Sequence, residues 1–411
     1  MTQLLIPAVH LPNGLDLFRP LPYTPSTYKK VLKSYGERSL LEAVPEDYIV
    51  LNSMPEEEYL HFLLSNGIGT ENIIQCFAKG GNLAEDILLD KGAMSRIEQV
   101  SEKCEELSFY IHLEEEREIA GRIGREEEVM HPALTRMFNR YYFLLRICED
   151  LDIELNETVQ VRSGRFLGPA SRLFKEWGKL FVRGNESVGG MQVYIVDSEE
   201  ALHRTAESIS RNVKITRYFV SRFLNVDESW NVQFSFAPGR QSYIGSSRQI
   251  VSGGTAHVGN EGGTDYHLPG EIRLLCEKIA DRLGAMGALG KIGIDVMTID
   301  GVAYPAEINA RKNTSTPALS LYKKMDRESD GGRICFRVIG IETAGGIGFK
   351  EFVSRIGSEN LFDMKSGRGI LPYHFASSRV TGKIDAAVFS RSPEDAINII
   401  KEVMRRFEKV T

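Results

Sequence analysis

No two of the five cysteines form a CxxC pair. Cys76, Cys104, Cys148, Cys276 and Cys335 are far apart and odd in number, which excludes a zinc knuckle or a disulfide frame and fits reduced thiols. The eight histidines are equally scattered, without HxxxH or HExxH, so a zinc hydrolase is excluded too. No long basic run occurs and the net charge is −6, which argues against bulk nucleic-acid binding. No apolar stretch approaches the roughly 18–20 residues of a membrane span. The opening MTQLLIPAVHLPNGLDLFRP lacks the basic start and long apolar run of a signal peptide, so a cytoplasmic protein without membrane or nucleic-acid partners is expected. Neither GxxxxGK[ST] nor a GxGxxG opening a helix after a strand is present; Gly346-Ile347-Gly348 lacks that context. Internal repeats and low-complexity linkers are absent as well.

What is present is an ordinary globular composition, 42% hydrophobic and 26% charged over 411 residues, enough for two or three domains with sizeable cores. Strand-like segments at 47–54, 73–78 and 107–112 alternate with helical ones, which predicts an α/β unit over 1–128. The acidic runs Glu114–Glu116 and Glu126–Glu128 read as solvated helix faces. Leu134, Met137, Phe138, Tyr141, Leu144 and Leu145 recur at helical spacing, predicting one long helix over 132–150. A second unit, 129–320, then runs through strands at 179–184, 191–196, 218–224 and 230–237. The Gly-rich stretch 252–270, with His257 and His267, reads as a long loop that covers a site. A third α/β unit, 321–411, has strands at 369–376 and 382–390 and a helix well capped by Ser392 and Pro393.

The segment Gly293–Thr316, GIDVMTIDGVAYPAEINARKNTST, concentrates the chemistry. Asp295 sits on one apolar run; a DG turn follows at Asp300-Gly301; Glu307, Asn309 and Arg311 then alternate along the next run. Alternate residues of a strand share a face. Two carboxylates and an amide oxygen are hard donors of the kind Mg²⁺ prefers, and Arg311 suits the anion such a metal would hold. Register tests this arrangement. If Ile299 pairs with Val302 across a plain two-residue turn, Asp295 faces Ala306 and Glu307 points away. A shared site therefore requires a three-residue loop bulged around Gly301 or a bulge near Pro305.

Two further segments belong with it. In LFVRGNESVGG, the strand cation Arg183 precedes a loop with Gly184, Ser187, Gly189 and Gly190, where backbone amides can approach phosphate oxygens. Alone, such a turn is also what an ordinary hairpin looks like. In RYFVSRFLNVDESWNVQFSF, an apolar strand breaks near Ser221 and resumes after Glu228, as a hinge whose backbone reads an adenine edge would, or as two plain strands would.

In this order and spacing the three segments resemble the ATP-grasp superfamily over roughly residues 135–318, with GIDVM and AEINAR the most specific part. The resemblance implies an α/β ATP-grasp fold between an N-terminal α/β domain and a C-terminal extension. It implies ATP and Mg²⁺ as cofactors, the metal on Asp295, Glu307 and Asn309. Arg311 and Asn309 would be catalytic. ATP would lie against Arg140, Arg183, Gly184, Ser187, Gly189 and Gly190, with Val220, Ser221, Arg222 and Phe223 as the adenine hinge. Arg140 and Arg183 replace the usual lysines, which keeps the charge and changes its geometry; Ser221 replaces the usual hinge glutamate. The tail segments GRGILPYHFASSRVTGKIDAAVFS and TAGGIGFKEFV are similar to the branch holding pheganomycin-type peptide ligases and the butirosin glutamate–carrier-protein ligase. The resemblance thus implies an acyl phosphate made from an amino acid, with glutamate expected, and passed to an acyl-carrier-protein thiol. A peptide or amide ligase with an amine acceptor is the alternative, and a non-catalytic ATP-binding regulator a third. On any ligase reading, His257 and its loop would close over the intermediate.

Overall fold

The structure, a computed structural model, describes residues 2–6, 31, 34–77, 82–188, 191–212, 215–252, 256–328, 332–343 and 345–407. Three sheets organise them. The first is parallel: β1 (Gln3–Ile6), β2 (Tyr48–Leu51), β3 (Ile73–Gln75) and β4 (Glu106–Phe109) in the order β3-β2-β1-β4. Leu4, Leu5, Ile6, Ile49 and Val50 are all fully buried, so these strands are apolar on both faces, as helix-covered parallel strands are. Asn82 and Asp90 cap the helices Leu83–Leu89 and Lys91–Ser101 by accepting from their first amides. Glu116 corrects the reading of its acidic run: it is fully buried, and its carboxylate accepts from the Leu113 amide at the head of the helix Glu114–Arg122.

The helix predicted over 132–150 is two helices, Pro132–Phe138 and Tyr141–Asp150. Asn139 makes the break. Its side chain donates back to Thr135 O (2.7 Å) and accepts from Ala310 N (3.1 Å), while Arg140 turns extended. A tertiary contact thus overrides a helical pattern that is locally continuous.

A small antiparallel sheet follows, β5 (Thr158–Arg162), β6 (Leu180–Val188), β7 (Met191–Val196) and β8 (Arg217–Arg222) in the order β5-β8-β6-β7. Helices Leu167–Trp177 and Glu199–Arg211 cover it around Val161, Leu180, Val182, Val196 and Tyr218. The third sheet has eight strands: β9 (Glu228–Ala237), β10 (Arg240–Ser252), β11 (Ala256–Gly263), β12 (Gly290–Ile299), β13 (Val302–Asn309), β14 (Cys335–Glu342), β15 (Gly369–His374) and β16 (Lys383–Ser390). Their order is β13-β12-β9-β10-β11-β14-β16-β15. Two expectations change here. Residues 256–263 form a strand rather than a covering loop, and the tail strands extend this sheet instead of building their own. The glycines of β11 misled because they serve close approach. A Cβ at Gly259 or Gly263 would run into the carbonyl oxygen of Val338 or Ile334. Among the described residues no helix is long and apolar enough to cross a membrane.

Glu42 ties the N-terminal segment to the third sheet. Its carboxylate, 3% exposed, takes Lys291 Nζ of β12 at 2.7 Å and Lys312 Nζ at 3.1 Å. Burial would raise its pKa, but the two ammonium groups outweigh burial and hold it down to about 2. The stability it contributes is present above its ordinary 4.5 and is lost as pH falls towards 2. Glu42→Gln strands two buried cations and is expected to cost about 3–5 kcal/mol. Urea unfolding at pH 7 measures this, and the difference from wild type should shrink below pH 4.

Candidate active site

The hairpin β12–β13 carries the predicted acids and obeys the register condition. Ile299 pairs with Val302 across Asp300-Gly301, whose φ values of 50° and 78° are those of a type I′ turn. The pairing then slips once: Val296 lies opposite Pro305 and Asp295 opposite Glu307, leaving Ala306 as the extra residue of a bulge. The bulge near Pro305 is therefore realised, and the three-residue loop is not.

Around Asp295 every oxygen is engaged. Oδ1 accepts from Asn231 Nδ2 at 2.6 Å and Oδ2 from Asn309 Nδ2 at 3.0 Å. Asn309 Oδ1 accepts from Arg311 Nη2 at 2.9 Å, so the four predicted residues of the hairpin do converge. Arg183 reaches across from β6. Its Nη1 donates to the Ala306 carbonyl at 2.7 Å, and its Nη2 lies 3.3 Å from Glu307 Oε2. The same guanidinium lies 4.2 Å from the Tyr141 ring centroid. The bulge turns one carbonyl out of the ladder, and Arg183 takes it. Burial raises the pKa of Asp295, against the Asn231 hydrogen bond and the Arg311 charge. Burial also raises Glu307; Asp295 adds to the rise, while Arg183 opposes it. Two partly buried carboxylates set opposite one another form a site that a cation would relieve.

A cleft of about 920 Å³ opens over this wall. Arg183, Asn231, Asp295, Glu307, Asn309 and Arg311 line it, and Phe181, Phe223 and Met297 are among its apolar lining. The other predicted residues are placed differently. Arg140 is half exposed, bonds Glu186 Oε1 at 2.9 Å and does not line the cleft. Gly184 is buried under Ile215, and Ser187 lies in the irregular end of β6; Gly189 and Gly190 fall outside the described residues. Of the four hinge residues only Phe223 lines the cleft, with Lys179 Nζ 3.8 Å from its ring centroid. Val220 points into the core of the small sheet. The Ser221 hydroxyl meets Thr158 Oγ1 at 2.7 Å, and Arg222 is exposed. Strand alternation explains this: β8 is still regular through Arg222, and the chain turns along the cleft only from Phe223 to Ser229.

Beneath the acids lies a polar floor that sequence reasoning missed. Gln233 Nε2 donates to Asn231 Oδ1 (2.8 Å) and Ser315 Oγ (2.9 Å). Ser247 Oγ bonds Ser315 Oγ (3.1 Å), and Asn260 Nδ2 bonds Ser247 Oγ (3.1 Å). Asn231, Gln233, Ser247, Asn260 and Ser315 are all nearly inaccessible to solvent. The available signal was Asn231 and Gln233 at alternate positions within the apolar run Trp230–Phe234. Buried polar groups on one face need partners, and this floor supplies them.

No family model and no curated protein sequence matches the chain. Solved structures do. N5-carboxyaminoimidazole synthetase from Staphylococcus aureus, complexed with ADP, superposes with a TM-score of 0.56 at 9% identity, over 99% of this chain and 97% of that one. N5-carboxyaminoimidazole synthase from Aspergillus clavatus, in complex with ADP and 5-aminoimidazole ribonucleotide, gives 0.57 at 9% identity over 99% of each chain. An L-amino acid ligase from Bacillus licheniformis gives 0.54 at 11% identity, over 99% of this chain and 98% of that one. At such identities the likeness speaks for architecture alone, and the architecture of this chain is the α/β ATP-grasp fold.

Proposed function

We propose that the chain is an ATP-dependent ligase that activates a small carboxylate, an amino acid, as an acyl phosphate and joins it to an amine. The observation that carries this reading is the bulge that sets Glu307 opposite Asp295, with Arg183 and Arg311 on the same wall. The donor set fits Mg²⁺: Asp295, Glu307 and the Asn309 amide oxygen are hard oxygen ligands, and the Asp295 charge beside Glu307 pushes the latter's pKa up. When bound, the metal would supply charge neutralisation at the phosphates.

The remaining work falls to the chain's own residues. A carboxylate oxygen attacking the γ-phosphorus of ATP needs anions cancelled more than protons moved, with ADP as the leaving group. Arg311, positioned through Asn309 Oδ1 and the Lys312 carbonyl, presents its guanidinium to developing negative charge. Arg183 holds Glu307 and the bulge together. The apolar lining, Phe181, Phe223 and Met297 among it, suits a flat base. The solved ligases of this architecture carry ADP or ATP in several cases, which supports ATP as the nucleotide.

Glutamate as the acid, the antibiotic-type branch and a carrier-protein thiol as acceptor rest on the tail motifs alone. An amine acceptor also has the L-amino acid ligase beside it. The test is nucleotide release over a panel of amino acids, each with an amine or a carrier protein. ADP and phosphate formed only with acid and amine together is the expected result. AMP would replace the acyl phosphate by an adenylate, and thioester without amide would restore the carrier-protein reading.

A further inference from the structure

A second bulge faces the first across the cleft floor. In the β10–β11 pair, Ile250 lies opposite Gly259 but Val251 lies opposite His257, so Val258 is the extra residue. Residues 257 and 260 would fall on opposite faces of a regular strand. The bulge brings them onto one face, where His257 Nε2 meets Asn260 Oδ1 at 2.8 Å. That face is the one with the acids, because Asn260 lies opposite Gln249, and Asn231 opposite both Ser247 and Asp295. His257 and Asn260 both line the cleft.

The floor sets the proton on this ring. Asn260 Nδ2 is committed as a donor to Ser247 Oγ, so Asn260 Oδ1 is an acceptor and His257 Nε2 must carry the hydrogen. Nδ1 is then the bare nitrogen, and it bonds no described residue. Through Ser247, Ser315 and Asn231 the same hydrogen-bonded floor runs on to Asp295.

On the ligase reading above, the geometry points to His257 as the general base that takes a proton from an ammonium acceptor. Nδ1 removes one N–H proton from R–NH₃⁺. The freed lone pair attacks the acyl-phosphate carbonyl carbon, the C–N bond forms, and the C–O bond to phosphorus's oxygen breaks. Phosphate leaves with that electron pair, and the nitrogen's surplus proton passes to phosphate or solvent. His257 is exposed overall, and what desolvation its ring meets in the cleft lowers its pKa from 6.5; the Asn260 bond opposes this and the Lys383 ammonium of β16 adds to it. Val251 and Asn260, its neighbours from β10 and β11, are uncharged. The base is therefore neutral and ready at pH 7.

Hydroxylamine separates this role from a structural one, since it is largely unprotonated at neutral pH and needs no base. His257→Gln is expected to lose about 10²-fold in amide formation with an ammonium acceptor at pH 7, and less than ~3-fold in hydroxamate formation from the same acid. The amide deficit should shrink roughly tenfold per pH unit as the free amine becomes available. Asn260→Ala, which frees the ring to turn, should show the same selectivity to a smaller degree. Equal loss of hydroxamate and amide, or a deficit flat with pH, overturns the assignment. A wild-type chain that makes hydroxamate from no acid in the panel overturns the ligase reading itself.

Discussion

Glu307→Gln or Asp295→Asn should lower acid-dependent ATP turnover by about 10³-fold, the scale on which preorganised charge at a transferring phosphoryl group acts. Each change keeps shape and removes one charge. The same variants should melt at a higher temperature than wild type without nucleotide and metal. Their carboxylates, partly buried, face one another, and Arg183 and Arg311 only partly offset the repulsion. Neutralising one removes a like-charge contact. Loss of turnover with a raised Tm is thus the signature of a site held at the expense of stability. Unchanged turnover in either variant would leave the acids without a chemical role and return the non-catalytic ATP-binding reading.

Arg183→Ala should cost roughly 10²–10³-fold in turnover, and Arg183→Lys about tenfold. The lysine variant is the informative one, because the resemblance read in the sequence puts a lysine at this position. A guanidinium donates to the Ala306 carbonyl, reaches Glu307 and lies against the Tyr141 ring at once. An ammonium group is a compact point charge and cannot span all three. KM for ATP measured beside kcat reads the effect. A rise in both constants' deficit for alanine and mainly in KM for lysine is expected, whereas wild-type behaviour of the lysine variant would reduce the bulge contact to packing.

The hairpin was legible because its chemistry and its register constrain each other. Two carboxylates, a DG turn and one count of residues demanded a bulge, and Ala306 provides it. Non-local packing hid the rest. The helix break at Asn139 depends on a bond to Ala310, far along the chain. The glycines of β11 look like loop residues until Val338 and Ile334 of the neighbouring segment are in place. Asn231, Gln233, Ser247 and Asn260 are ordinary polar residues one at a time, and become a floor only when three strands stand side by side. The hinge was located along the chain, but which of its side chains meets the cleft followed from where β8 ends.

The Ala306 bulge also gives the hairpin one residue of slack, and slack is directional. With the turn held, removing any one residue from Val302 to Ala306 draws the bulge out straight and still leaves Glu307 facing Asp295, at the cost of the carbonyl that Arg183 holds. Adding one residue there has no such reserve: the strand must bulge twice or turn its acid away. Length variation in this short stretch should therefore be tolerated as loss and refused as gain.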